Sequence, residues 1–184
     1  MNRYALVIFD IDGTLCLLDE TDLLPNRKEI LDELASNQVH LAIATNQGGV
    51  GYRLYRQTKN KSTDEFPTES DVLDRIEKIK ENIDWPIRVN VAFSYYLKWE
   101  RAWSPVPDGR DHEPFWHPDF RKPSGGMLLD HIKFFGVAAD ATLYIGDRPE
   151  DEAAARAAGC HFEWAWKYFG DPEPIDESEN EKTG

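Results

Sequence analysis

Cysteine is nearly absent from this sequence: Cys16 and Cys160 are the only two among 184 residues. Two thiols build neither a disulfide framework nor a four-thiolate zinc site. Long hydrophobic runs are missing too, and nothing approaches the roughly 20 consecutive apolar residues of a membrane-spanning helix. The opening MNRYALVIFD has one Arg before a short apolar run that ends in acids, without the small-residue cleavage site of a secretory leader. These absences predict a soluble protein of a reducing compartment, the cytoplasm, with no membrane partner. Bases are scarce as well. There are 21 Lys+Arg against 34 Asp+Glu, a net charge of −13. That excludes a histone-like or arginine-rich nucleic-acid binder and leaves a local basic groove open.

Part of the acidic surplus is local. Residues 171–184 hold six acids and one Lys, which leaves 28 acids and 20 bases upstream. With two prolines and few apolar residues, this stretch reads as a disordered tail, and residues 1–170 as a single domain long enough to bury a core. Within that domain, short apolar runs alternate with helical patterns. YALVIF (4–9) is a continuous apolar run, as expected for a strand covered on both faces. VHLAIA (39–44), IRVNVAF (87–93), ATLYI (141–145) and residues 160–164 read as four further strands. Helices are expected from a cap at Asn26 to about Ser36, from Thr68 to about Ile83, from a cap at Ser124 through Phe135, and over 150–158. Such alternation predicts a three-layer α/β fold with a mainly parallel sheet, in which ligands sit outside the carboxyl ends of the strands.

Four strand ends carry chemistry. The first runs into Asp10-Ile11-Asp12-Gly13-Thr14, where one carboxylate can attack while the other shuttles a proton, and both can approach a cation. An acidic helix-capping turn fits the same residues. The second ends at Thr45-Asn46-Gln47-Gly48-Gly49, whose hydroxyl and amides suit phosphate oxygens, or an ordinary polar loop. Arg121-Lys122-Pro123-Ser124 precedes a helix and is either an anion site or a solvated charge. The fourth ends at Gly146-Asp147-Arg148-Pro149-Glu150-Asp151, oxygen ligands for a hard cation or acids favouring a helix N-terminus.

Taken together and in this order, the motifs resemble those of the haloacid dehalogenase superfamily of phosphohydrolases. The pairing of TNQGGV with RKPSGGML is similar to subfamily III, which includes histidinol-phosphate and heptose-bisphosphate phosphatases and the 3′-phosphatase domain of polynucleotide kinase/phosphatase. The resemblance implies a Mg²⁺-dependent phosphatase. Asp10 is then the nucleophile, Asp12 the acid and base, and Thr45 and Lys122 the phosphoryl clamp. Asp10, the Asp12 main-chain carbonyl and Asp147 are the implied metal ligands, with Asp151 a metal or supporting residue and Glu150 its competitor. Asn46, Arg121 and Arg148 are candidate substrate contacts. The zinc loop of some members is not expected, because residues 94–120 contain no cysteine; His112 and His117 remain as possible ligands there.

Only about 30 residues separate Thr14 from Thr45, which leaves no room for a large cap and predicts an open site. Arg53, Arg56, Lys59 and Lys61 form a basic island without acids, able to grip a second phosphate or a polynucleotide, or simply a solvated face. Tyr95, Tyr96, Trp99, Trp103, Phe115, Trp116 and Phe120 could stack a base or pack among themselves. The expected substrate is a small phosphorylated metabolite. A 3′-phosphorylated nucleic-acid end is the alternative, and a non-catalytic module binding a phosphorylated ligand the distant one.

Overall fold

Leu6–Phe9 forms the first strand, β1, with all four side chains buried. Because strand side chains alternate, Leu6 and Ile8 enter one hydrophobic cluster while Val7 and Phe9 enter another on the opposite face. Full burial of each is worth roughly 1.5–3 kcal/mol, so β1 needs cover on both sides. The computed structural model describes residues 3–174, and the expected tail beyond 174 lies outside them. After β1 come α1 (Arg27–Ser36), β2 (His40–Asn46), α2 (Gly49–Thr58), α3 (Glu69–Glu81) and β3 (Ile87–Ala92). A short hairpin of β4 (Tyr96–Leu97) and β5 (Ala102–Trp103) follows. Then come α4 (Gly126–Phe135), β6 (Thr142–Gly146), α5 (Pro149–Ala158), β7 (His161–Trp164) and α6 (Ala165–Phe169).

The five long strands are all parallel, in the order β3-β2-β1-β6-β7. Side chains of α1, α3 and α6 join the cluster on one face, and those of α4 and α5 the cluster on the other. This is the expected three-layer α/β fold. The chain leaves β1 toward β2 on one side and returns to place β6 on the other. The crevice at this change of direction, at the carboxyl ends of β1 and β6, is where such folds bind ligands. Phe9 pairs with Ile145 in register, so Asp10 and Asp147 leave the sheet almost side by side. Among the described residues no helix is long and apolar enough to cross a membrane.

Local signals succeeded and failed for visible reasons. Thr68 caps α3 in a reciprocal box with Asp71, whose carboxylate also accepts from the Thr68 N–H. Asn26 does not cap α1 through its side chain; it takes a left-handed turn at φ 66° instead. Nor does Ser124 cap α4, which begins two residues later behind Gly125. The boundary drawn at residue 170 also moves. Arg27, 1% exposed, donates from Nε to the Thr14 carbonyl (2.9 Å) and from Nη1 and Nη2 to both carboxylate oxygens of Asp171 (2.9 and 2.5 Å). Asp171 therefore closes the fold rather than opening the tail.

A buried histidine makes this fold sensitive to acid. His131 of α4 is fully buried, with Nε2 2.8 Å from the Ile43 carbonyl and Nδ1 2.8 Å from Arg88 Nη1. A carbonyl only accepts, so Nε2 carries the hydrogen and Nδ1 accepts from the guanidinium. Burial, with Arg88 adding to it, pushes the imidazole pKa down to about 4 from 6.5. The unfolded chain takes up this proton below about pH 6.5 while the folded one refuses it until about pH 4. Stability from this group is thus lost as pH falls across that window, by about 3 kcal/mol at its foot. Urea unfolding at pH 7 and pH 4.5 should show His131→Gln losing a few kcal/mol less than the wild type on acidification. An equal loss in both proteins would refute the assignment.

Candidate active site

At the crevice the chain leaves β1 through Asp10, Ile11 and Asp12 and turns at Gly13. Gly13 adopts φ 79°, and a Cβ there would collide with the Asp147 carboxylate. Only glycine lets the two strand exits approach this closely. Asp10 is 5% exposed. Its Oδ1 lies 2.9 Å from Lys122 Nζ, which also contacts Asp151 Oδ1 (2.7 Å), the Tyr144 hydroxyl (2.8 Å) and the Ala44 carbonyl (3.0 Å). Asp10, Asp147 and Asp151 offer oxygens that all lie within 4.8 Å of one another.

Burial and neighbouring charge both act on the ionisation of Asp10 and Asp147. Burial is the largest influence on Asp10 and lifts its pKa, Lys122 pulls it back, and Asp151 pushes it up again; the net effect is upward. Burial, then Asp10 and Asp151, raise Asp147 to about 6. Burial works against the Lys122 ammonium, yet Asp10 and Asp151 outweigh it and hold the charged form. Tyr144 is kept protonated by burial and the surrounding acids.

The cleft above these groups has a volume of about 220 Å³ and is lined by Asp10, Asp12, Asn46, Gln47, Lys122 and Asp151 at its floor. Leu18, Asp19, Gly48, Gly49, Pro67, Arg148 and Glu150 form its walls. Asp12 is held from two sides: Gln47 Nε2 donates to Oδ2 (3.0 Å) and Arg75 Nη2 to Oδ1 (2.7 Å). Gln47 donates also to the Thr45 hydroxyl oxygen (3.1 Å), tying the end of β2 to the end of β1.

Several expected site residues do something else. Asp151 has its carboxylate filled: Oδ1 takes Lys122 and the Tyr144 hydroxyl, and Oδ2 takes the Arg148 N–H (3.0 Å). It anchors Lys122 and caps α5, while Glu150 stands at the cleft mouth. Asn46 exchanges two hydrogen bonds with the Lys122 main chain, both 3.1 Å, so its amide fixes the lysine rather than standing free for substrate. Arg121 turns from the cleft to donate to the Ser94 carbonyl (2.9 Å) beside the Tyr95 ring, and burial lowers its pKa. Arg148 does line the cleft, half-exposed.

The basic island lies elsewhere. Arg53 and Arg56 hold the carbonyls of Thr63, Phe66 and Ser62, closing the loop after α2 instead of facing the cleft. No reading of the sequence singled out Arg75, Gln47 as a partner of Asp12, or Tyr144. Arg75 sits mid-helix among other charges, with no motif to mark it.

The aromatic loop mostly packs on itself. Phe93, Phe115, Trp116 and Phe120 stack among one another, and Tyr95 joins Tyr52 and, through it, Phe66 and Trp99. In the same loop Arg110 bridges Glu113 and Glu69, stapling it to the start of α3. None of the residues lining the cleft is aromatic.

Comparison with known proteins accords with this geometry. The family model described as polynucleotide kinase 3 phosphatase matches residues 5–170. D-glycero-β-D-manno-heptose-1,7-bisphosphate 7-phosphatase of Photorhabdus laumondii is 25% identical over 162 residues, covering 83% of this chain and 74% of that protein. Its counterpart in Pasteurella multocida is 24% identical, covering 83% and 76%. Among solved structures, a putative haloacid dehalogenase-like phosphatase of Mesorhizobium loti superposes with a TM-score of 0.61 at 16% identity, over 85% of this chain and 69% of that one. The D,D-heptose 1,7-bisphosphate phosphatase of B. bronchiseptica, complexed with magnesium and phosphate, gives 0.53 at 20% identity, over 85% and 78%.

Proposed function

The chain belongs to the polynucleotide kinase 3 phosphatase family, phosphoric monoester hydrolases of the haloacid dehalogenase superfamily, and from that premise we propose that it dephosphorylates a small phosphorylated metabolite, a sugar phosphate or similar, through an aspartyl-phosphate on Asp10. One observation carries this reading: a buried Asp10 fixed by Lys122 at the floor of a small cleft, with Asp147 beside it and Asp12 lining the same floor.

The residues fit a divalent cation. Asp147 Oδ1 is buried without a hydrogen-bond partner, and the carboxylate cluster has more negative charge than Lys122 neutralises. An all-oxygen donor set suits Mg²⁺, with Asp10 and Asp147 as ligands and Asp151 already bonded to its own partners. When bound, the ion offsets charge on the phosphoryl oxygens. Asp10 attacks phosphorus as the ester P–O bond breaks, and Asp12 gives its proton to the departing oxygen. Lys122 and Thr45 hold the phosphoryl oxygens meanwhile. A water then gives a proton to Asp12 and attacks phosphorus, which frees inorganic phosphate and restores Asp10.

Cleft size and charge support a small substrate. About 220 Å³ is below the usual span of drug-sized sites, roughly 300–1,000 Å³. The mouth carries Asp19 and Glu150 against Arg148 alone, which disfavours a polyanion. The polynucleotide 3′-phosphatase reading draws on the family description, yet Arg53 and Arg56 are bonded to loop carbonyls and no ring lines the cleft.

The test is phosphate release with Mg²⁺ across sugar phosphates, histidinol phosphate, nucleotides and a 3′-phosphorylated oligonucleotide. We expect a sugar phosphate or related small ester to lead, and EDTA to stop turnover. A preference for the oligonucleotide would replace the metabolite reading, and silence throughout would leave a phospholigand-binding module.

A further inference from the structure

Asp12 differs from the other cleft acids in what holds it. Gln47 reaches one carboxylate oxygen from the β2 side, and Arg75 reaches the other from the middle of α3. The ion pair is largely buried, with side-chain exposures of 15% for Arg75 and 14% for Asp12. The same guanidinium also holds the segment after the β1 turn. Nη2 donates to the Glu20 carbonyl (2.8 Å) and the Leu17 carbonyl (3.3 Å), and Nε donates to Glu20 as well (3.0 Å). That segment carries two exposed leucines, Leu17 and Leu18, and a left-handed Asp19; Leu18 and Asp19 form a cleft wall.

A carboxyl on a short side chain has two torsions to fix before a proton it has taken up can be delivered to a departing oxygen. A planar guanidinium fixes direction as well as charge, which an ammonium does not. We propose that Arg75 is a positioning residue: it aims Asp12 at the leaving oxygen and locks the cleft wall formed by Leu18 and Asp19 to that aim. The inference rests on the acid role proposed for Asp12 above. Arg75 touches neither Asp10 nor Asp147, and it meets Asp12 through the side-chain carboxyl and not through the main-chain carbonyl expected on the metal, so its effect reaches the reaction only through that side chain and the wall.

Two substrates of similar shape separate this role from simple structural support. Nitrophenolate leaves p-nitrophenyl phosphate without a proton, whereas the alkoxide of p-nitrobenzyl phosphate leaves only with one. The ratio kcat/KM reports events up to departure of this group and excludes the later hydrolysis step. General acid catalysis is worth on the order of 10²–10⁴-fold, and losing its aim should forfeit much of that. For Arg75→Met we expect kcat/KM on p-nitrobenzyl phosphate to fall about 30-fold or more. On p-nitrophenyl phosphate it should fall less than about threefold, because no acid is needed there. Arg75→Lys should recover part of the benzyl activity, and, with its smaller perturbation, provides the folded variant if the Met protein is unstable.

Equal falls on both substrates, or no fall on either, would overturn the proposal. Asp12→Asn in parallel tests the underlying reading: it should show the same selectivity more strongly. If Asp12→Asn loses no selectivity, or if wild type turns over neither ester, the catalytic reading fails, and the proposal with it. If Asp12→Asn is selective and Arg75→Met is not, only the role of Arg75 is lost.

Discussion

Asp10→Asn should abolish turnover. A nucleophile removed from a site whose parts act together typically costs on the order of 10⁴–10⁶-fold in kcat, and an amide oxygen neither attacks phosphorus readily nor holds a cation well. The same change should leave the fold standing. Asn is nearly isosteric, and Lys122 keeps Asp151 at 2.7 Å, Tyr144 and the Ala44 carbonyl. What disappears is one of three clustered carboxylates, and one whose charge is opposed first by burial and also by Asp151. Without Mg²⁺ the thermal midpoint should therefore stay level or rise. With Mg²⁺, the wild type should gain stability by the ordinary ligand-binding relation, and the variant should gain less. Phosphate release together with melting in EDTA and in Mg²⁺ reads both effects. Turnover above about one hundredth of wild type would exclude Asp10 as the nucleophile.

The sequence made the strand ends legible because each lies where an apolar run meets polar residues, and a parallel sheet gathers those ends on one edge. β1, β2 and β6 read as runs buried on both faces, which puts Asp10, Thr45 and Asp147 at their carboxyl ends. Side-chain commitments were not legible. Arg53 and Arg56 look like a free basic island because a sequence shows charge without its partners; in the fold they reach from α2, a helix whose two glycines hide its periodicity, to carbonyls of the loop that follows it. Asn46 and Asp151 sit inside the expected motifs, yet each is bonded to Lys122. Proximity in a motif placed them near the phosphate position without saying which atom each would hold. Arg75 lay beyond reach for the opposite reason: 63 positions from Asp12, it meets that residue only through the packing of α3 against the β1 face of the sheet.

Lys122→Met should damage stability and activity together, and the two losses should have different pH signatures. The ammonium is 3% exposed and is the cation bonded to both Asp10 and Asp151, at 2.9 and 2.7 Å. Removing one partner of a buried ion pair typically costs about 3–5 kcal/mol, because the other charge stays buried and unpaired. Here Asp10 has an escape: it can hold a proton. Asp10 already leans that way through burial, and it loses the lysine that pulled it back. A carboxyl whose folded pKa rises above its unfolded value loses stability as pH increases. The variant should accordingly be closest to wild type near pH 5 and furthest from it at pH 8. Activity should fall by about 10²–10³-fold even where the protein is folded, as expected for loss of one preorganised donor to a developing phosphoryl charge. Urea unfolding from pH 5 to pH 8, with phosphate release on the folded fraction, separates the two losses. A destabilisation that is flat across this range would mean that Asp10 and Asp151 find other cations, and that Lys122 is not the charge holding this site together.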